Sequence, residues 1–384
     1  MSKLLLLGAG TQSLAILPSL HNAGHRIVML TGFHPNYGDK SRYVSHVYRY
    51  DMISETTTLQ AVRKVIDVEH PDVVIPMGDS SAELLCKHSA MFEGIAVKMP
   101  SYANFLRGYD KNKLMALCQE KGYPHPQTID LSLVDYQSEE ARTFSYPAML
   151  KPNCTTGGRG MVEVGSYEEL VKVYPDLHKT YGDYHLQRFI KAGGRQVKVQ
   201  LYIDEERRLV AHSVQQKLRW YPNKAGSNCC AVSIENNHIV GICHQILKDI
   251  DWLGFADFDT IEDPDTGELL IMEINPRLPA CIKGSIAAGI DWGEIIVRGY
   301  LGLPQKAYKY KAGVYLRHLG LDSLWLLHAE NKWRACPNWF KLFGQNLYYQ
   351  DMSGWSDPMP FISGTWSNIK KLFDPEFRKA KKGV

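Results

Sequence analysis

Within the first hundred residues, short apolar runs at positions 3–7, 27–30, 73–77 and 95–99 alternate with amphipathic stretches such as 59–69. Runs of four to eight apolar residues read as strands, and strands separated by helical patterns build a parallel sheet covered by helices. A Rossmann-like lobe of about 100 residues is therefore expected. The chain has 384 residues, too many for one such core, so two or three lobes sharing a cleft are expected.

Further along, a helix over 111–121 precedes an apolar strand ending in Lys151-Pro152, then a glycine-rich turn and a helix from Tyr167. From Tyr184 the strands lengthen and alternate, at 197–203, 209–215, 254–261 and 269–274. Asp263-Pro264-Asp265-Thr266-Gly267 turns the last two into a hairpin. The expected fold is α/β and α+β: a Rossmann-like lobe over 1–105, a small lobe with the glycine loop over 106–185, a largely antiparallel lobe over 186–305, and an extension over 306–384 with no clear period.

Charge and cysteine usage narrow the function classes. The net charge is +3, too small for a nucleic-acid footprint, and the excess sits partly in Arg378-Lys379-Ala380-Lys381-Lys382. That tail reads most simply as a solvated end, with weak attraction to a membrane or polymer as the other reading. Eight cysteines lie scattered without metal spacing, which fits reduced thiols. The run 4–7 is too short for a secretory signal, and no stretch approaches the roughly 20 apolar residues of a membrane span. A cytoplasmic protein is expected.

Gly8-Ala9-Gly10-Thr11-Gln12-Ser13 follows the first strand. Ser13 replaces the third glycine of a dinucleotide fingerprint, and the second strand ends without an acidic ribose ligand. A tight strand-to-helix turn is the better reading. Lys151-Pro152 with Gly157-Gly158-Arg159-Gly160 is more informative. Glycine backbone amides can approach phosphate oxygens while a strand lysine supplies a point charge.

About a hundred residues later come Asp257-Phe258-Asp259 and Met272-Glu273-Ile274-Asn275-Pro276-Arg277. Residues two apart on a strand share a face, so Glu273 and Asn275 are expected to act with Asp259 as hard oxygen ligands for Mg²⁺ (or Mn²⁺). Arg277 is expected to hold a further anion. Lys217 and Arg219, two apart in an extended run before Trp220-Tyr221-Pro222, are expected to face an acidic substrate together.

Strand-Lys151-Pro152, the loop 157–161, Leu186-Gln187-Arg188-Phe189-Ile190, Gly254 to Asp259 and Glu273 to Arg277 resemble, in that order, the ATP-grasp superfamily. Ser41-Arg42-Tyr43-Val44, Asp79-Ser80-Ser81, Asp110-Lys111, Gly122-Tyr123-Pro124-His125-Pro126 and Lys217 to Pro222 are similar to its carboxylate–amine ligases of the D-aspartate ligase and carbamoyl-phosphate-synthetase type.

The resemblance implies a pre-ATP-grasp lobe followed by a two-lobed ATP-grasp fold, with ATP between the two antiparallel lobes. Lys113, Lys151, Gly157, Gly158, Gly160 and Met161 would serve its phosphates, and Gln187, Arg188, Phe189 and Ile190 the adenine. Gln196 would meet the ribose. The family often has glutamate at the positions of Gln187 and Gln196, and the more common glutamate at that of Asp259. The implied activity is amide formation through an acyl phosphate, with Lys151, Arg277 and Arg219 at the reacting groups. Substrates would be a small carboxylate and an amine, and a homodimer is compatible. Other ATP-grasp reactions (carboxylation, phosphorylation) and a non-catalytic ATP sensor stay open.

Overall fold

The computed structural model describes residues 1–153, 160–222, 226–330 and 332–373. Its contacts divide the chain into two compact units. Among the described residues, the first comprises 1–105, 197–257 and 275–370, and the second holds 106–196 and 258–274.

In the first unit, strands β1 (Lys3–Leu7), β2 (Arg26–Thr31), β3 (His46–Arg49) and β4 (Val73–Pro76) form a parallel sheet in the order β3-β2-β1-β4. Leu4 and Leu6 pack into one core cluster with Leu14, Leu17, Trp292 and Ile295. Leu5 and Leu7 pack into another with Val28, Val62 and Leu85. Both faces are thus buried, which is why these strands read as continuous apolar runs and not as alternating ones. The run expected as a strand at 95–99 contributes only a bridge from Ala96 to Val73. The partly buried β3 forms the opposite edge, beside β2.

In the second unit, β5 (Thr128–Asp130), β6 (Ala148–Pro152), β7 (Val162–Val164) and β8 (Tyr184–Arg188) form an antiparallel sheet in the order β5-β8-β6-β7. Ala148 and Leu150 of β6 point into a core with Leu170, Tyr174 and Leu186. The alternate residues, Met149 and Lys151, therefore project from the opposite face.

A seven-stranded sheet follows, from β9 (Gln196–Ile203), β10 (Leu209–Tyr221), β11 (Ser227–Ile234), β12 (Gly254–Glu262), β13 (Leu269–Asn275), β14 (Tyr315–Arg317) and β15 (Leu347–Tyr349). Its order is β13-β12-β9-β10-β11-β14-β15. The last two strands come from the segment whose sequence shows no period: three-residue strands are too short to display one.

Candidate active site

The lysines of the second unit are placed by local chemistry. Asp110 caps the helix Lys111–Lys121 by accepting from the amides of Asn112 at 2.9 Å and Lys113 at 3.2 Å, so the lysine after the cap always enters the first turn. Lys111 Nζ then lies 3.4 Å from Glu273 Oε2, and its backbone amide donates to Asn153 O. Lys113, the lysine expected to serve phosphate, is exposed. Lys111 is the one that meets the β13 carboxylate, and the Asp110-Lys111 pair was the available signal.

Lys151 shares its face with His185, directly across β6 and β8, and with Gln187 opposite Met149. Its Nζ donates to Gln187 Oε1, while Gln187 Nε2 donates to Thr128 Oγ1 at 3.1 Å. Desolvation lowers the Lys151 pKa from 10.5 to about 8; Glu273 opposes the shift and Lys111 adds to it. Gln187 matters here, because an amide accepts the lysine proton without contributing the negative charge that would hold it on.

His185 is buried, with Nδ1 2.8 Å from Asn153 Oδ1. Burial, then the charges of Lys151 and Lys111, push its pKa well below 6.5, so the ring is neutral. Sequence reasoning missed it, since a histidine between Tyr184 and Leu186 reads as core.

Arg188 ends β8; its amide donates to Gln127 O and its side chain to Asp263 Oδ2 at 2.6 Å. Phe189 and Ile190 leave the sheet there, and Gln196 opens β9. Gly160 has φ +75° and would carry a Cβ 2.9 Å from the Pro152 and Tyr184 side chains, so only glycine fits that turn. Met161 follows it. Gly157 and Gly158 lie outside the described residues.

Asp259 occupies a half-buried position on β12, and Glu273 one on the neighbouring β13. Among the described residues no three His, Cys, Asp or Glu side chains gather as a metal site. Two carboxylates with oxygen donors from water and phosphate nonetheless suit Mg²⁺, which seldom uses a full protein cage.

In the first unit, Asn275 Nδ2 lies 3.4 Å from both the backbone and the carboxylate oxygens of Asp257. Asp257 is fully buried and takes 2.7 Å and 2.8 Å hydrogen bonds from Lys198 and Gln200. The Asn275 amide is thereby oriented with Oδ1 toward Arg277 Nη2, at 3.4 Å. Arg277 is itself tied to Asp79 (Nε to Oδ1, 3.2 Å) at the start of the helix Asp79–Lys87.

Lys217 and Arg219 do not act as a pair. The register on β11 runs Lys217 to Ala231 and then Arg219 to Cys230, a bulge that places the two side chains opposite adjacent residues and hence on opposite faces. Arg219 is 3% exposed. Its Nε and Nη2 donate to Asp322 at 2.7 Å and 2.9 Å, Nη1 donates to Pro337 O at 2.8 Å, and the guanidinium lies 5.0 Å from the Trp325 ring centre. This corrects the expectation of a substrate-facing Arg219: the guanidinium is part of the core beneath the C-terminal segment. Lys217 stays half-buried on the face of Ser213 and Gln215.

The fold and the lysine and carboxylate positions are similar to those of ATP-grasp proteins. Residues 110–291 match the family described as carbamoyl-phosphate synthase L chain, ATP binding domain. The chain is 26% identical over 242 residues to a D-aspartate ligase of Enterococcus faecium, covering 58% of this chain and 57% of the relative. It is 22% identical over 259 residues to the C-terminal section of a carbamoyl phosphate synthase large chain of Methanopyrus kandleri, covering 65% and 47%. It thus spans about half the length of these relatives.

Among solved structures, the biotin carboxylase of Campylobacter jejuni superposes with TM-score 0.67 at 18% identity, over 82% of this chain and 74% of that one. The L-amino acid ligase of Bacillus licheniformis gives 0.60 at 14%, over 78% and 74%. At those identities the likeness is one of fold.

Proposed function

We propose that this chain is an ATP-dependent ligase that joins a small carboxylate to an amine, releasing ADP and phosphate. The observation that carries the reading is the Lys151 and Lys111 pair around Glu273, with Lys151 on the face of the sheet that turns away from the Leu150 core. Two cations beside one half-exposed carboxylate suit a polyphosphate bridged by a divalent metal. The D-aspartate ligase and carbamoyl phosphate synthase relatives support the same class.

In this reading Lys111 and Lys151 neutralise the β- and γ-phosphates, and the backbone at Arg188 and Ile190 takes the adenine. Asp259, Glu273 and Asn275 would hold Mg²⁺, which would supply charge neutralisation at the phosphate oxygens. The substrate carboxylate attacks the γ-phosphorus, and ADP leaves. The amine then attacks the acyl carbon, and inorganic phosphate leaves. Such transfer depends on positioning and electrostatics and needs no protein nucleophile. Burial pushes the Cys86, Cys118 and Cys230 thiols up to about 12, far from the reactive thiolate. Lys217 and Arg277 are the cations proposed to meet the carboxylate substrate.

A coupled ADP assay across pools of amino acids and cell-envelope precursors tests this. ADP release that requires both a carboxylate and an amine is the expected result. Bicarbonate-dependent release without amine would assign carboxylation instead, and no turnover with any pool would leave a nucleotide sensor.

A further inference from the structure

The helix Met359–Phe373 is mounted with its apolar side outward. It attaches to the first unit by small and polar residues: Gly364 lets the backbone approach the Tyr37 ring, where a Cβ would stand 2.3 Å from ring carbons. Ser367 Oγ donates to Pro35 O at 2.9 Å, and Asn368 Nδ2 donates to Tyr37 Oη at 3.0 Å. Met359, Ile362, Trp366 and Ile369, spaced three and four apart along one stripe, are 51%, 55%, 59% and 40% exposed. A surface helix ordinarily buries such a stripe. Just before it, Trp355 is 96% exposed.

Charge identifies what covers this face. Residues 358–384 hold six Lys and Arg against two Asp and Glu, whereas the whole chain has 44 against 41. The positive excess of the protein therefore lies in this short segment. Lys370 Nζ sits 5.6 Å from the Trp366 ring centre, at the border of the apolar stripe. A second copy of the same face would bring a second Lys370 to it and no acidic partner. An anionic bilayer offers both complements, apolar depth for Ile and Trp and phosphate for Lys.

We infer that the helix Met359–Phe373 is an interfacial anchor that seats the protein on an anionic lipid surface through Met359, Ile362, Trp366 and Ile369, with Lys370 at their border. The inference is independent of the ligase reading. A helix of this kind lies in the plane of the interface, its apolar face reaching about 5–10 Å into the headgroup and acyl boundary. Electrostatic attraction should make attachment sensitive to salt.

The test is sedimentation of the full chain with vesicles of phosphatidylcholine alone or with about one third phosphatidylglycerol, with Trp emission followed in parallel. Expected are binding to the anionic vesicles with a blue shift, and release by high salt. Ile362→Ser/Trp366→Ser should abolish binding, and Lys370→Glu/Lys371→Glu should weaken it at least about tenfold. Failure of the wild-type chain to sediment with anionic vesicles overturns the inference, as does unchanged binding by both variants. A concentration-dependent dimer that Ile362→Ser/Trp366→Ser dissolves, without vesicle binding, would assign the face to a second copy.

Discussion

At the scale of single residues, Lys151 carries the most specific expectation. Its pKa near 8 lies below the 10.5 of an unfolded lysine. Between those values the unfolded chain binds more protons, so this group's contribution to stability rises with pH from about 8 to 10.5 and is level below. Phosphate prefers the protonated form, so ATP affinity should fall as pH rises through about 8, while bound ATP pulls the lysine pKa upward. Calorimetric ATP titrations from about pH 7 to 9.5 check this; an affinity flat across that range would contradict it. Gln187→Glu should move the inflection upward by adding negative charge beside Nζ. Lys111→Ala should weaken ATP about 10- to 100-fold, the loss of a charged hydrogen bond, whereas Lys113→Ala should be nearly silent. Lys151 was legible in the sequence because a strand lysine before a glycine loop has few other uses. The choice between Lys111 and Lys113 was not, because two residues apart on a helix differ by half a turn and only the cap at Asp110 fixes which faces Glu273.

At the scale of elements, strand periodicity predicted most of the molecule and failed where a bulge intervened. Alternation placed Glu273 and Asn275 on one side of β13 but assigned Arg219 to the side of Lys217; the skipped partner at Leu218 reverses it, and a bulge has no reliable sequence mark. The displaced guanidinium is compensated by Asp322, which is fully buried and also accepts from Arg317 Nε at 2.6 Å. One carboxylate thus serves two buried arginines, one from β10 and one from β14. Asp322→Ala should cost about 3–5 kcal/mol, since it leaves two guanidinium charges without their counterion, and denaturant unfolding measures it. Arg219→Lys should lower the melting temperature yet leave the KM of the acid substrate unchanged. A raised KM with intact stability would return Arg219 to the substrate.

At the scale of the whole molecule, the parallel sheet with both faces covered was readable from Leu4 to Leu7 alone, whereas the strands at Tyr315 and Leu347 were too short to announce themselves. The central claim is that a carboxylate is activated as an acyl phosphate, and hydroxylamine tests it most directly, since it captures that intermediate whatever the natural amine. With ATP, Mg²⁺, a pool of carboxylates and hydroxylamine, the account predicts a hydroxamate formed in step with ADP, and none when Mg²⁺ is chelated or Lys151 is replaced by Ala. Steady ADP release from the carboxylate pool without any hydroxamate would contradict it.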